Sequence, residues 1–168
     1  MALKADRHEL DVDISFFMDA AATRGGCVSV VSPGGSGAAM DQANAKVNYV
    51  VAANDVIPVG ILLNDVVNLD LTRQHINFHK DEVQKGGKVS VLKKGWVVTN
   101  MITGTPTTGA AAYLDDATAG HLAMKAQVDD GEYIPIGRFM STVDEDGYVK
   151  VEVNLPAGVM NTDAGALE

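Results

Sequence analysis

The stretch from Tyr133 to Leu155 decides the fold, and it reads YIPIGRFMSTVDEDGYVKVEVNL. In its second half polar and apolar residues alternate, which places Val149, Val151 and Val153 on one face of a strand. The turn Asp144 to Gly147 separates this strand from an apolar run before it. The sequence therefore predicts a β-hairpin over this stretch.

Further strand signals precede the hairpin. The run CVSVV at Cys27 to Val31 is β-branched, and VIPVGILL at Val56 to Leu63 predicts a buried strand with a bulge or bend. Two more strands are predicted, Lys88 to Leu92 and Trp96 to Met101, joined by a turn at Lys93-Lys94-Gly95. This spacing of strands and turns predicts a mainly β domain, a small barrel or sandwich.

The chain of 168 residues has the length of one domain, and no domain boundary is visible in it. We expect an extended N-terminal arm over residues 1–18, a single β-rich domain over 19–156 and a flexible C-terminal tail over 157–168. Within the domain a short helical turn together with a strand is expected between Ala38 and Val51, and a glycine-rich surface loop at Ser32 to Gly37.

The N-terminal segment alternates polar and apolar residues at the strand period from Asp11 to Phe16. It can be read as an extended arm or as a first strand. Its apolar side chains could add to the edge of a neighbour's sheet. This segment supplies most of the predicted partner-binding residues, which with one tryptophan from the second half are Val12, Ile14, Phe16, Phe17, Met18 and Trp96.

Charge limits the classes of partner. The formal net charge is −9, from 22 acidic and 13 basic residues, and such a field repels phosphate backbones and anionic lipid. Met1 to Leu10 lacks the apolar core of a signal peptide, and no apolar run has the length of a membrane span. We therefore expect no nucleic acid or membrane partner, and synthesis in a cytoplasm, where the single Cys27 stays reduced.

No residue pattern predicts catalysis or a cofactor. His75 and His79 are four positions apart but lack the third ligand and the glutamate of a metalloprotease motif. Cys27 is interpreted as a small buried hydrophobe, and Asp144 to Gly147 as turn chemistry rather than a calcium loop. Trp96 is interpreted as a core or interface anchor.

Four segments, taken in order, resemble the capsid decoration, or cement, proteins of tailed bacteriophages. They are IPVGILLNDVV at Ile57 to Val67, GGKVSVLKKGWVVTN at Gly86 to Asn100, GAAAYLDDATAGHLAM at Gly109 to Met124, and IPIGRFMSTVDEDGYVKVEVNLP at Ile134 to Pro156. The resemblance covers about the last two-thirds of the chain. The N-terminal third departs from the pattern.

The resemblance implies a non-enzymatic β-barrel or β-tulip domain that docks on the outer surface of a phage head. Its implied partner is the major capsid protein, whose neighbouring subunits it would bridge, and its implied state is a homotrimer or a dimer. Two alternatives remain open. One is an adhesion or carbohydrate-binding domain with Trp96 and Tyr113 as stacking residues, and the other is a metal-dependent enzyme using His75, His79 and His121.

Overall fold

The computed structural model describes residues 2–32, 45–53, 55–65, 82–125 and 133–155. The regular structure in these ranges is β-sheet. In chain order the strands are β1 (Leu3–Met18), β2 (Ala22–Thr23), β3 (Cys27–Ser32), β4 (Lys46–Asn48), β5 (Pro58–Asp65), β6 (Glu82–Val83), β7 (Lys88–Thr99), β8 (Ile102–Thr103), β9 (Ala111–Leu114), β10 (Leu122–Ala123), β11 (Pro135–Phe139) and β12 (Val149–Asn154).

Ten of these strands form one sheet, in the order β1-β4-β3-β5-β7-β12-β11-β9-β10-β8, and β2 pairs with β6 separately. Because β1 pairs with β7 as well as with β4, the first five strands of this order close into a ring. The other five continue from β7 as an open sheet. The prediction of a mainly β domain is confirmed. The predicted barrel is only partly present, because five of the ten strands form the closed ring.

Strand β7 is the centre of the sheet. Its first half pairs with β5 and its second half with β12, while β1 lies along its opposite edge. The predicted turn at Lys93-Lys94-Gly95 is therefore wrong, since the strand continues through it. Gly95 has a φ of 138°, and a Cβ there would meet the carbonyl oxygen of His8 on β1. The glycine permits the close approach of a neighbouring strand rather than a chain reversal.

Two hydrophobic clusters pack on opposite faces of the central strands. On β5, Ile61 and Leu63 belong to the larger cluster, and Leu62 between them belongs to the smaller one. All three side chains are at most 1% exposed. A strand with both faces buried reads as a continuous apolar run rather than an alternation, which explains VIPVGILL.

The predicted hairpin of β11 and β12 is confirmed. Gly137 pairs with Val153 and Phe139 with Val151 in an antiparallel register. Its turn is held by Asp144, whose carboxylate accepts the backbone N–H of Asp146 at 3.0 Å and that of Tyr148 at 2.7 Å. The Asp144 side chain therefore stabilises the turn, in agreement with the interpretation of this segment from the sequence.

No α-helix occurs in the described ranges, so the expected short helical turn is not seen there. The described part of its segment forms β4, because the β-branched Val47 is buried in the smaller cluster. The rest of that segment, the Ser32–Gly37 loop beyond Ser32, His75, His79 and the 157–168 tail lie outside the described residues. In the described ranges, nothing helical is long and apolar enough to cross a membrane.

Candidate partner-binding surface

The N-terminal segment is extended, as the alternation predicts, but it is part of the sheet. Strand β1 pairs with β7 from Leu3 opposite Thr99 to Phe17 opposite Lys88. The expectation of a separate arm is therefore corrected, because β7 satisfies the backbone polar groups along one edge of the segment. This segment stays attached to its own domain.

The apolar side chains of β1 take part in the core to different degrees. Met18 is 1% exposed and lies inside the smaller cluster, so it has no surface to offer a partner in this conformation. Val12 packs against the larger cluster and Phe16 against the smaller one, both half-buried. Ile14 and Phe17 are also half-buried. Four of the five predicted β1 residues thus retain some exposed surface.

Strand β1 is held to β7 by a charged pair as well as by its backbone. Lys93 Nζ lies 2.6 Å from Asp13 Oδ2, and the backbone N–H of Ser15 donates to Asp13 Oδ1 at 2.8 Å. Burial alone would raise the pKa of Asp13, but the hydrogen bonds from Lys93 and Ser15 outweigh burial and hold that pKa below its ordinary value. The carboxylate is thus charged at neutral pH and positioned beside β7.

Trp96 lies at the centre of a cluster on the solvent side of β7. Lys150 of β12 places its Nζ 3.4 Å from the centroid of the Trp96 ring. His8 of β1 stacks on the same side chain, with ring centroids 6.4 Å apart and planes inclined by 24°. We call His8, Trp96 and Lys150 the Trp96 cluster. Three adjacent strands contribute one residue each, so the pairing of the sheet fixes the relative positions of their backbones.

The Trp96 cluster has the composition of an interface anchor. Tryptophan offers a large apolar surface with few rotatable bonds, and a cation over its ring adds an attraction of about 0.5 to 2 kcal/mol. Trp96 is half-buried, and its cross-strand partner Glu152 is exposed. The surrounding charges can form the polar rim that surrounds such anchors at protein interfaces.

The same geometry is poorly suited to stacking a sugar. Lys150 covers one face of the Trp96 ring, and His8 stacks against the ring as well. Tyr113 lies on β9, which is separated from β7 by the two strands β12 and β11, and it packs on Tyr133 with centroids 5.5 Å apart. The two aromatic residues of the carbohydrate hypothesis therefore do not form one platform.

Cys27 and His121, two residues that the sequence offers as candidates for chemistry, both lie in the described part of the chain. Cys27 is fully buried, and burial raises the pKa of its thiol to about 12, so that the sulfur is a protonated hydrophobe at neutral pH. His121 places Nδ1 3.2 Å from the carbonyl oxygen of Ile102. Over the ranges that the structure describes, no three His, Cys, Asp or Glu side chains come together as a metal site.

Sequence reasoning missed three residues that the structure brings to this surface. His8 and Lys150 contact Trp96, and Leu10, two positions after His8 on β1, is 71% exposed, the highest value among the large apolar side chains of the described residues. Alternation along β1 and β12 marks these positions as solvent-facing. It does not show which strands are neighbours, and that pairing is what assembles the cluster.

The described residues thus form a mainly β domain that carries the Trp96 cluster on its surface. The chain matches the family model described as structural cement protein (E217 gp24/Pam3 gp6) over residues 13–154. It therefore belongs to this family of phage structural cement proteins, which are components of the virion capsid. The curated proteins contain no match to this sequence.

Proposed function

We propose that this protein binds the outer surface of the phage head and stabilises contacts between neighbouring major capsid protein subunits. The observation that carries the proposal is the Trp96 cluster, an aromatic side chain contacted by residues of two flanking strands on the solvent side of the central strand, in a member of the cement family. Half-buried Val12, Ile14, Phe16 and Phe17 of β1, beside that strand, supply further apolar surface. Synthesis in the host cytoplasm precedes this docking.

Stabilisation follows from mass action. A protein that binds the assembled lattice, and not the separate subunits, shifts the equilibrium toward the lattice at every site it occupies. Because a head repeats the same site many times, a modest free energy at each site is sufficient to resist the pressure of packaged DNA. No bond is made or broken, so the residues of the surface need only be complementary and rigid.

Self-association is part of the proposal, with a homotrimer as the first expectation and a dimer as the second. A closed oligomer presents several copies of the Trp96 cluster at once and thereby increases avidity for a symmetric lattice. Light scattering of the purified protein measures the mass directly. A mass equal to that of the 17.6 kDa chain would contradict self-association in solution.

The central experiment compares Trp96→Ala with Tyr113→Ala in co-sedimentation with undecorated heads. We expect Trp96→Ala to weaken binding by at least about tenfold, as the loss of an interface anchor does. Tyr113→Ala is the matched control, because Tyr113 is a half-buried aromatic residue of the same sheet and two strands separate it from β7. Circular dichroism establishes that both variants remain folded. Wild-type binding by Trp96→Ala would refute the anchor role.

Deletion of residues 1–18 is not a clean test of capsid binding. Strand β1 closes the ring and contributes Met18 to the smaller cluster, so its removal would expose the core as well as remove contact residues. Point variants separate the two effects. Ile14→Ser and Phe17→Ser change half-buried side chains of β1 and leave Met18 in place.

A further inference from the structure

The middle of β1 is uncovered on both faces. From Ala5 to Asp11 every residue is exposed except the half-buried Arg7, and Leu10 is 71% exposed. Successive residues of a strand point to opposite faces, so the consecutive exposed residues His8 to Asp11 show that this stretch is open on both sides, apart from the contact of His8 with Trp96. A strand in the middle of a domain is normally covered on one face.

One edge of the same stretch is also open. Strand β7 lies along one edge of β1, and β4 reaches the other edge only at Phe17 and Met18. Among the described residues no strand pairs with that second edge between Ala5 and Asp11. The carbonyl oxygen of His8 faces Gly95 of β7, so the N–H and C=O groups of Arg7 and Glu9 point away from β7.

The charged side chains of this stretch determine which charge a complementary added strand would carry. Asp6, Glu9 and Asp11 are exposed. Glu9 forms an ion pair with Arg7 of the same stretch, whereas within the described residues neither Asp6 nor Asp11 has an ion-pair partner. Two copies of the stretch placed edge to edge would bring these carboxylates together, and like charges across strands are unfavourable. Register shifts on either side of residues 7–9 also restrict extended self-pairing.

We propose that Ala5 to Asp11 of β1 receives an extended segment of a partner protein as an added strand, and that this segment carries lysine or arginine at alternate positions. The main-chain groups of Arg7 and Glu9 supply hydrogen bonds, and the carboxylates of Asp6 and Asp11, which lack an ion-pair partner among the described residues, supply charge complementarity. The inference deepens the proposed function, since it rests on a capsid subunit being the partner that provides the segment.

The test uses the whole chain and two probe peptides, an acetylated peptide of alternating lysine and valine and its counterpart with glutamate in place of lysine. Glu9→Pro removes the outward N–H, and proline is tolerated on an open edge. Glu9→Ala is the matched control, because it removes the same carboxylate and keeps the N–H. Fluorescence anisotropy measures affinity, and amide NMR shifts locate the binding.

We expect the lysine peptide to bind the wild-type chain with shifts confined to residues 5–11 and neighbouring β7. Glu9→Pro should weaken this binding by about tenfold, the effect of losing about 1.4 kcal/mol. Glu9→Ala should weaken it by less than about threefold, as loss of one exposed charge does. The glutamate peptide should not bind. Equal affinity for Glu9→Pro and wild type, or no binding of the lysine peptide, would overturn the inference.

Co-sedimentation with undecorated heads separates this inference from the proposed function. If Glu9→Pro decorates heads like wild type while Trp96→Ala does not, strand addition is refuted and the capsid-binding function stands. If the wild-type protein does not bind heads but binds the lysine peptide at β1, the proposed function is refuted. The inference that the open edge of β1 accepts a basic strand is then retained.

Discussion

Lys4 Nζ lies 3.0 Å from Asp144 Oδ2, although the two residues are 140 positions apart in the chain. The same ammonium group lies 4.1 Å from the centroid of the Tyr148 ring. Lys4 is the second residue of β1, and Asp144 stabilises the turn between β11 and β12, so this contact joins the N-terminal strand to the closing hairpin. Lys4 of the N-terminal segment thus contacts the β11–β12 hairpin, the element that the sequence predicts most clearly.

Removal of Lys4 should raise the pKa of Asp144 only part of the way to its ordinary value. Its carboxylate accepts hydrogen bonds from Tyr148 N–H and from Lys4, and these hold its pKa below the ordinary value of 3.8. In Lys4→Gln we expect the pKa to rise but to stay below the ordinary value, because the backbone bond from Tyr148 remains. Carboxyl NMR titration measures this. An unchanged pKa would show that Lys4 does not interact with Asp144 in solution.

Stability should fall in acid through Asp13. The folded-state pKa of Asp13 is lowered, so its contribution to stability is fully present above the unfolded value of 3.8 and is lost as pH falls through the folded value. Lys93→Met removes the strongest of the interactions that lower this pKa. We expect a flatter decrease in melting temperature between about pH 5 and pH 2 in this variant than in the wild type.

The control for that experiment is Lys94→Met, since Lys94 is exposed and the described residues include no ion pair for it. It should retain the wild-type pH dependence. Identical flattening in both variants would assign the effect to net charge rather than to the contact with Asp13.

Gly95→Ala should be strongly destabilising. A Cβ at this position would meet the carbonyl oxygen of His8, and the φ of 138° is unfavourable for any other L-residue. We expect a loss of about 2 kcal/mol or more in the free energy of unfolding. Gly147→Ala is the control: it has a φ of 83° and open space around the added Cβ, so about 1 kcal/mol is expected. Chemical denaturation measures both, and equal losses would argue against the clash.

The buried carboxylate of Asp115 should be a structural requirement. It accepts hydrogen bonds from Thr103 Oγ1 at 2.6 Å and from the backbone N–H of Thr118 at 3.0 Å. Asp115→Ala leaves both donors without an acceptor, and we expect a loss of about 1 to 3 kcal/mol. Asp55→Ala changes an exposed aspartate and should have little effect. Denaturation curves that coincide for the two variants would contradict this role.

Cys27 should be unreactive in the native protein. It is 0% exposed, and burial raises the pKa of its thiol to about 12, so neither access nor thiolate is available at pH 8. A thiol reagent should label it only as fast as the chain unfolds. Rapid labelling in the absence of denaturant would show that β3 opens locally.

The sequence by itself determined the elements whose signals are local. The alternation from Val149 to Val153 and the turn at Asp144 specify a hairpin because side-chain period and turn chemistry act over a few residues. The order of the segments also identified the family, which the match over residues 13–154 confirms. The partner-binding role of the six predicted residues stays a prediction.

Only the tertiary structure decided which strands are neighbours. Gly95 looks like a turn residue until β1 is placed against it, and Lys93-Lys94 look like turn residues until Lys93 is paired with Asp13. Likewise, His8, Trp96 and Lys150 form one cluster only because β1 and β12 flank β7. Strand pairing joins residues far apart in the chain and depends on the burial of the whole sheet, so a local pattern cannot specify it.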